Sequence, residues 1–227
     1  MVGRTQPGLQ RMRNEDALRF DAENGLAVLA DGMGGLMAGS EASKVAVERI
    51  YEHLEQSSAA NTDDRNAAIE SAHQAISQIS AAKEMASKMG STVVIWLQSG
   101  DAWRAAWVGD SRLYRWRGRR LQQMSKDHSL AQRMLDSGEA EPGVDIEAHY
   151  GHVLTQGLGL RQPLDPGFCS GECKPSDQRF LLCSDGLSDM VAQDKISAAL
   201  ELPDLEDVAD RLIGSALDMG GRDNISL

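Results

Sequence analysis

Four aspartates stand at one end or the other of strand-like apolar runs. "LAVLADG" closes on Asp31 and Gly32, "RAAWVGDS" on Asp110, and "RFLLCSDG" on Asp185, while "GGRDNIS" sets Asp223 between a glycine pair and a strand-like run. One aspartate at one strand end is ordinarily a turn residue. Four at equivalent places suggest a shared purpose. Should those ends converge, several carboxylates would meet in partly desolvated surroundings, where like charges oppose ionisation and a divalent cation relieves the penalty. The donors are all oxygens, with no cysteine or histidine at the matching turns, so Mn2+ or Mg2+ suits the set better than zinc. Gly32, Gly34 and Gly35 leave out the side chains that would keep a main-chain carbonyl from such an ion.

The stretch "QRMRNEDA" holds a second constellation. Arg11 and Arg13 beside Glu15 and Asp16 read most simply as a surface ion pair worth about 0–1 kcal/mol. Next to a metal site the same residues have another use, since a guanidinium fork fits phosphate oxygens and an acidic pair can hold metal-bound waters.

The elements that must position these groups follow from periodicity. Leu26 to Ala30 is a continuous apolar run suited to a strand covered on both faces. From Ser40, read as an N-cap, Ala42, Ala46, Ile50 and Leu54 mark one helical stripe; after a break at 56–61, Ile69, Ala72, Ile76 and Ile79 mark another. The two are expected to pair antiparallel. The period then changes to two: "STVVIWLQ", "AWRAAWV", "RLYRWR" and "RLQQM", separated by short Gly- or Asp-containing turns, predict a four-strand antiparallel meander. A helix over Ser129 to Asp136 stopped by Gly138, an irregular stretch to about Pro175, the strand Arg179–Cys183 and two final helices complete the pattern. Asp204 caps the last helix, whose stripe is Val208, Leu212 and Leu217. Helical pairs flanking antiparallel strands predict a layered α+β domain, sheet on sheet with helices outside.

Composition excludes several classes. Lys+Arg of 23 against Asp+Glu of 34 leaves a net charge of −11, which repels phosphodiester backbones and anionic bilayers, so neither nucleic acid nor membrane is an expected partner. No apolar run approaches the ~20 residues of a membrane span, and the first residues lack the apolar centre of a secretory signal. A cytoplasmic protein of one domain over residues 1–227 is expected. Cys169, Cys173 and Cys183 form no disulfide pattern, and Cys169 and Cys173 without a second pair make a poor zinc site.

Taken in order, "RMRNEDA", "LADGMGG", "GSTVV", "WVGDSRLYRWR", "SKDHSL", "LTQGLG", "LLCSDGLSD" and "GGRDNIS" resemble the motif series of the metal-dependent protein phosphatases, the protein phosphatase 2C or PPM family, in its bacterial form. The resemblance spans nearly the whole chain. It implies a four-layer α-β-β-α sandwich and hydrolysis of phosphoserine and phosphothreonine in proteins, dependent on two Mn2+ or Mg2+ ions. By the same resemblance Asp31 bridges two ions with the Gly32 carbonyl on one, and Asp185 and Asp223 are further ligands. Asp110 matches the place that helps hold a third, weaker ion. Arg11, five residues before Asp16, corresponds to the phosphate-binding arginine; Glu15 and Asp16 to the water-mediated shell; Asn224 to a buttress of its neighbour. Residues from about 126 to 166 match the family's flap, which sets substrate choice. Met33 stands where animal members carry a histidine thought to protonate the leaving oxygen, so no side chain is assigned that role; His128 is a weak candidate.

Three function classes remain open on the residues: a phosphoprotein phosphatase, acting as a monomer and opposing a bacterial Ser/Thr kinase; a metal-dependent nuclease or small phosphoester hydrolase; and a silent binding module of the same fold. Net charge weighs against the second and the full ligand set against the third. The basic turn "RWRGRR" over 115–120 reads as a solvated hairpin edge or as a contact for an acidic partner.

Overall fold

A computed structural model describes residues 1–34, 38–56, 62–83, 89–139, 144–160, 163–173 and 178–227. In chain order the elements are β1 (Thr5–Gln6), β2 (Ala17–Asp21), β3 (Leu26–Ala30), β4 (Gly32–Met33), α1 (Ala38–Gln56), α2 (Thr62–Ala82), β5 (Gly90–Ser91), β6 (Val93–Ser99) and β7 (Ala102–Val108). There follow β8 (Arg112–Arg117), β9 (Arg120–Gln123), α3 (Leu130–Ser137), α4 (Ile146–Tyr150), β10 (Gly167–Glu172), β11 (Gln178–Cys183), α5 (Asp185–Ser188), α6 (Gln193–Ala199), α7 (Leu205–Asp218) and β12 (Ile225–Ser226).

The large sheet runs β10-β7-β6-β3-β2 and the small one β11-β8-β9, with two short ladders, β1-β12 and β4-β5; every pairing is antiparallel. Alternation along β6 shows how the layers stack. Val93, Ile95 and Leu97 face α1 and α2, packing with Ile50, Leu54, Ile69 and Ile76, while Val94 and Trp96 face the other sheet with Trp103, Trp107, Leu113 and Phe180. Tyr114, Leu181 and Cys183 on the far face of the small sheet pack with Leu187, Ile196, Val208 and Leu212 of α5, α6 and α7. Three apolar layers thus separate four structural ones, as expected of an α-β-β-α sandwich. Both faces of β6 are buried, which is why its sequence is apolar without a break.

Several expectations need correction. The meander is split: β6 and β7 belong to the large sheet and β8 and β9 to the small one, so the Gly109–Ser111 turn crosses between layers. Periodicity reports the faces of a strand and not its sheet. Gly109, at φ 102°, makes the crossing, and a Cβ there would stand 2.6 Å from Thr92 Cγ2. The stretch expected to be irregular contains α4 and β10, whose glycines 167 and 171 lie flat against Trp107 and Trp103. Helix α1 starts at Ala38, so Ser40 lies in its first turn and caps nothing, and Gly35 and most of the break at 56–61 lie outside the described residues. Three helices follow β11, because a single turn, α5, begins at Asp185 itself. The local helix signals agree with the structure: Ser129 accepts from the Gln132 N–H to cap α3, Gly138 ends that helix at φ 73°, and Asp204 caps α7. In the hairpin over 115–120, Arg119 pairs with Glu201 and Arg115 donates to Gln122.

Candidate metal centre

The strand ends do converge. Asp31 follows β3 of the large sheet, Asp110 lies on the crossing turn, Asp185 follows β11 of the small sheet, and Asp223 precedes β12. Asp16 enters from the start of β2, and its Oδ2 accepts from the Ser184 hydroxyl at 2.9 Å. Asp31 and Asp185 are charged neighbours in the same buried cluster. Anions gathered in this way oppose one another's ionisation. Burial, and then the mutual repulsion of these groups, lifts Asp185 to about 7 and Asp31 well above the carboxylate range; Asp110 rises for the same reasons, with Asp185, Asp127 and Asp189 as its charged neighbours. Burial lifts Asp16 to about 6 against the pull of its hydroxyl partners.

Backbone anchors set this geometry. The Asp31 N–H donates to Thr92 Oγ1 at 3.0 Å, and its carbonyl accepts from the Thr92 N–H at 2.8 Å and the Ser91 hydroxyl at 2.9 Å. Thr92 Oγ1 also meets Ser111 Oγ at 2.7 Å, so one buried hydroxyl joins the Asp31 end to the Asp110 turn. Gly32 donates to the Glu15 carbonyl at 3.1 Å, and a Cβ on it would fall 2.0 Å from Gly39 O. Any larger residue at either place would force the β3 end away from α1. Gly186 is held similarly, its missing Cβ 2.0 Å from Asn224 O.

Asn224 clamps the loop that carries Arg11. Its Oδ1 accepts from the Glu15 N–H at 2.7 Å, and its Nδ2 donates to Arg13 O at 2.8 Å and Pro7 O at 3.1 Å, while its own N–H reaches Asp223 Oδ1 at 2.8 Å. Arg11 then projects to the mouth of the cluster, where Nη2 donates to Asp223 Oδ2 at 2.6 Å with about half of its side chain exposed.

Do these residues suit hard cations? Among the described residues, no three acidic, imidazole or thiol groups already form a ready ligand shell; Asp223 accepts from Arg11 and Asp16 from Ser184 instead. Two observations favour the fit. Asp185 Oδ1 and Asp16 Oδ1 are buried with no hydrogen-bond partner, a costly state that a cation would satisfy. The donor set is entirely oxygen, as Mn2+ and Mg2+ prefer.

All nine residues singled out in the sequence therefore lie in or against one site: Arg11, Glu15, Asp16, Asp31, Gly32, Asp110, Asp185, Asp223 and Asn224. His128 is tied to backbone, its Nδ1 accepting from the Gly109 N–H at 3.2 Å, and Met33 packs against Gly90 and Gly157. Sequence reasoning missed the hydroxyls of Thr92, Ser184 and Ser226. Ser184 had a signal, a small polar residue between an apolar strand and an aspartate, whereas nothing local marks Thr92 or Ser226. The cysteines stay reduced and apart, with burial raising Cys169 to about 11 and Cys183 to about 12.

The family model for protein phosphatase 2C matches residues 10–214. The serine/threonine protein phosphatase PstP of Mycobacterium tuberculosis is 33% identical over the whole chain, which spans 43% of that relative's length. Serine/threonine phosphatase stp of Listeria monocytogenes is 30% identical over 99% of the chain and 92% of its own length. The crystal structure of M. tuberculosis PstP superposes with a TM-score of 0.88 over 99% of this chain and 94% of that one, and another PstP catalytic-domain structure holds two manganese ions. PppA of Pseudomonas aeruginosa, 31% identical, gives 0.85 over 99% and 94%. Sequence, fold and the convergence of the strand-end carboxylates agree: the chain belongs to the protein phosphatase 2C family.

Proposed function

We propose that this protein hydrolyses phosphoserine and phosphothreonine in other proteins, with Mn2+ or Mg2+ as cofactor. The observation that carries the reading is the meeting of carboxyls from five chain segments, two of them with orphaned buried oxygens, with Arg11 at the opening. Asp31, Asp185, Asp223 and the Gly32 carbonyl would hold two ions, and Asp110 would help with a weaker third. Bound there, the ions supply Lewis acidity and lower the pKa of water enough for direct attack on phosphorus. Arg11 has the fork to bind phosphoryl oxygens as charge moves onto them, exchanging Asp223 for substrate. Glu15 and Asp16 orient the centre from beneath, and Asn224 fixes the loop that presents Arg11.

The chain acts, in this reading, as a single domain over 1–227 whose residues 126–166 form a flap that selects substrate, as a cytoplasmic monomer opposing a Ser/Thr kinase. No helix among the described residues is long and apolar enough to cross a membrane. The experiment is hydrolysis of a phosphothreonine peptide and of DNA with Mn2+, with chelator, and in Asp185→Asn. Peptide turnover that requires metal and is lost in the variant supports the proposal. Metal-dependent DNA cleavage, or no turnover of either substrate, refutes it.

A further inference from the structure

Arg112 spends its charge below the surface. The side chain is 13% exposed, and Nε and Nη2 both donate to Asp127 Oδ2, at 2.8 and 2.6 Å; Asp127 is 7% exposed and its Oδ1 accepts from Gln123 Nε2 at 2.9 Å. Nη2 also reaches Glu147 Oε1 of α4 at 3.2 Å. A buried ion pair recovers little more than its own desolvation, so stability alone is a weak reason for one. Its position suggests another. Arg112 follows the Gly109–Ser111 turn directly, and the next residue after Asp127, His128, grips the same turn twice: its N–H donates to Gly109 O at 2.9 Å and its Nδ1 accepts from the Gly109 N–H at 3.2 Å. His128 O in turn accepts from the Thr155 N–H at 2.7 Å. On the opposite side the turn rests on Thr92, through Ser111 Oγ and through contact with Gly109, and Thr92 holds the Asp31 N–H.

We propose that Arg112, Asp127 and His128 are positioning residues that fasten the Asp110 turn to the base of the segment over the site, and through Ser111 and Thr92 steady Asp31 as well. The chain of contacts is unbroken from α4 to the carboxyl cluster. Asp110 has no freedom to adjust without moving His128 and the pair behind it. The segment that meets substrate and the carboxylate that helps hold the weakest ion therefore share one support. The inference rests on the metal-dependent phosphatase reading.

A double-variant cycle separates positioning from general support. Arg112→Lys keeps the charge and loses the two-toothed grip. On metal-stripped protein titrated with Mn2+ by calorimetry, it should weaken the weakest binding step about fivefold, and on a phosphothreonine peptide lower kcat about tenfold with KM changed less than about twofold. Combined with Asp110→Asn it should cost nothing beyond Asp110→Asn alone. Losses that multiply, an unchanged weakest step, or activity restored by cooling well below the variant's own Tm would each overturn the inference. If Arg112→Lys does not fold, Gln123→Ala removes the amide that orients Asp127 and should give the same pattern at about threefold; a silent Gln123→Ala then counts against it. Asp31→Asn run alongside isolates the underlying reading: metal-dependent turnover that survives Asp31→Asn refutes the phosphatase assignment, whereas its loss together with a silent Arg112→Lys refutes only the positioning role.

Discussion

Metal-stripped protein should become less stable as pH rises from 5 to 8. Asp185 titrates at about 7 in the fold against an ordinary 3.8, chiefly through burial and then through Asp223, Asp189 and Asp16. A carboxyl raised in this way keeps its proton in the folded state over a range where the unfolded chain has lost it, so the folded state binds more protons and stability falls with pH. The contribution is complete below about pH 4 and is lost by about pH 7, at about 1.4 kcal/mol per pH unit, or about 4 kcal/mol for this one group. Asp16, lifted to about 6, acts in the same direction, though the two share neighbours and do not add in full. Between pH 5 and 8 the pair should remove about 3 kcal/mol, which for a chain of this size lowers Tm by about 6–12 °C. Net charge of −11 also favours lower pH, so the attribution depends on a variant. In metal-stripped Asp185→Asn the slope should fall by more than half and Tm at pH 8 should rise. In the unmodified protein with saturating Mn2+ most of the slope should vanish, since cations replace the protons. Thermal melts in chelator at pH 5, 6, 7 and 8 provide the measurement. A Tm that stays level or climbs, or a slope untouched by Asp185→Asn, would refute the idea that these carboxyls are held together against their own charge.

Other perturbations test individual supports. Thr92→Val keeps shape but leaves the Asp31 N–H without its acceptor; a loss of about 1–3 kcal/mol in denaturant melts is expected, with a fall in kcat. Gly186→Ala puts a methyl 2.0 Å from Asn224 O, and overpacking of this kind costs about 1–3 kcal/mol or more, again read from melts. Arg11→Lys retains charge without the fork and should raise KM for a phosphopeptide about tenfold while Tm moves by only a degree or two, since the pair it makes is half exposed.

Asp31, Asp110 and Asp185 were legible because each ends an apolar run, and such runs report strand ends reliably, whereas Asp223 stood out by the glycine pair before it. Helices α3 and α7 were legible for a similar reason: Ser129, Gly138 and Asp204 are local signals that act through local hydrogen bonds. What periodicity missed is non-local. "RLYRWR" alternates equally well in either sheet, and only the positive φ of Gly109 and the packing of Thr92 beneath it decide that β8 leaves the large sheet. Strand β10 escaped notice because its glycines, which read as loop, are there to admit the rings of Trp103 and Trp107. The partner of Arg112 was equally hidden, since nothing in fifteen residues of spacing says that Asp127 is buried beside it.

This division explains where the site must lie. Asp31 ends a strand of the large sheet and Asp185 ends one of the small sheet, so the carboxyl cluster spans the seam between the two layers. Its geometry depends on how the sheets pack, and the tryptophan-rich layer between them sets that spacing. Asp110 occupies the one turn among the described residues that leads from β7 of the large sheet to β8 of the small one, and for that reason it is the carboxylate most exposed to any shift of one sheet on the other. Thr92 below the turn and His128 with Arg112 above it resist that shift from both sides. A core substitution far from the centre, such as Trp103→Leu, should accordingly change the weakest Mn2+ binding step more than the tighter ones. Equal weakening of all steps would mean that the seam moves as a unit and that Asp110 has no special dependence on it.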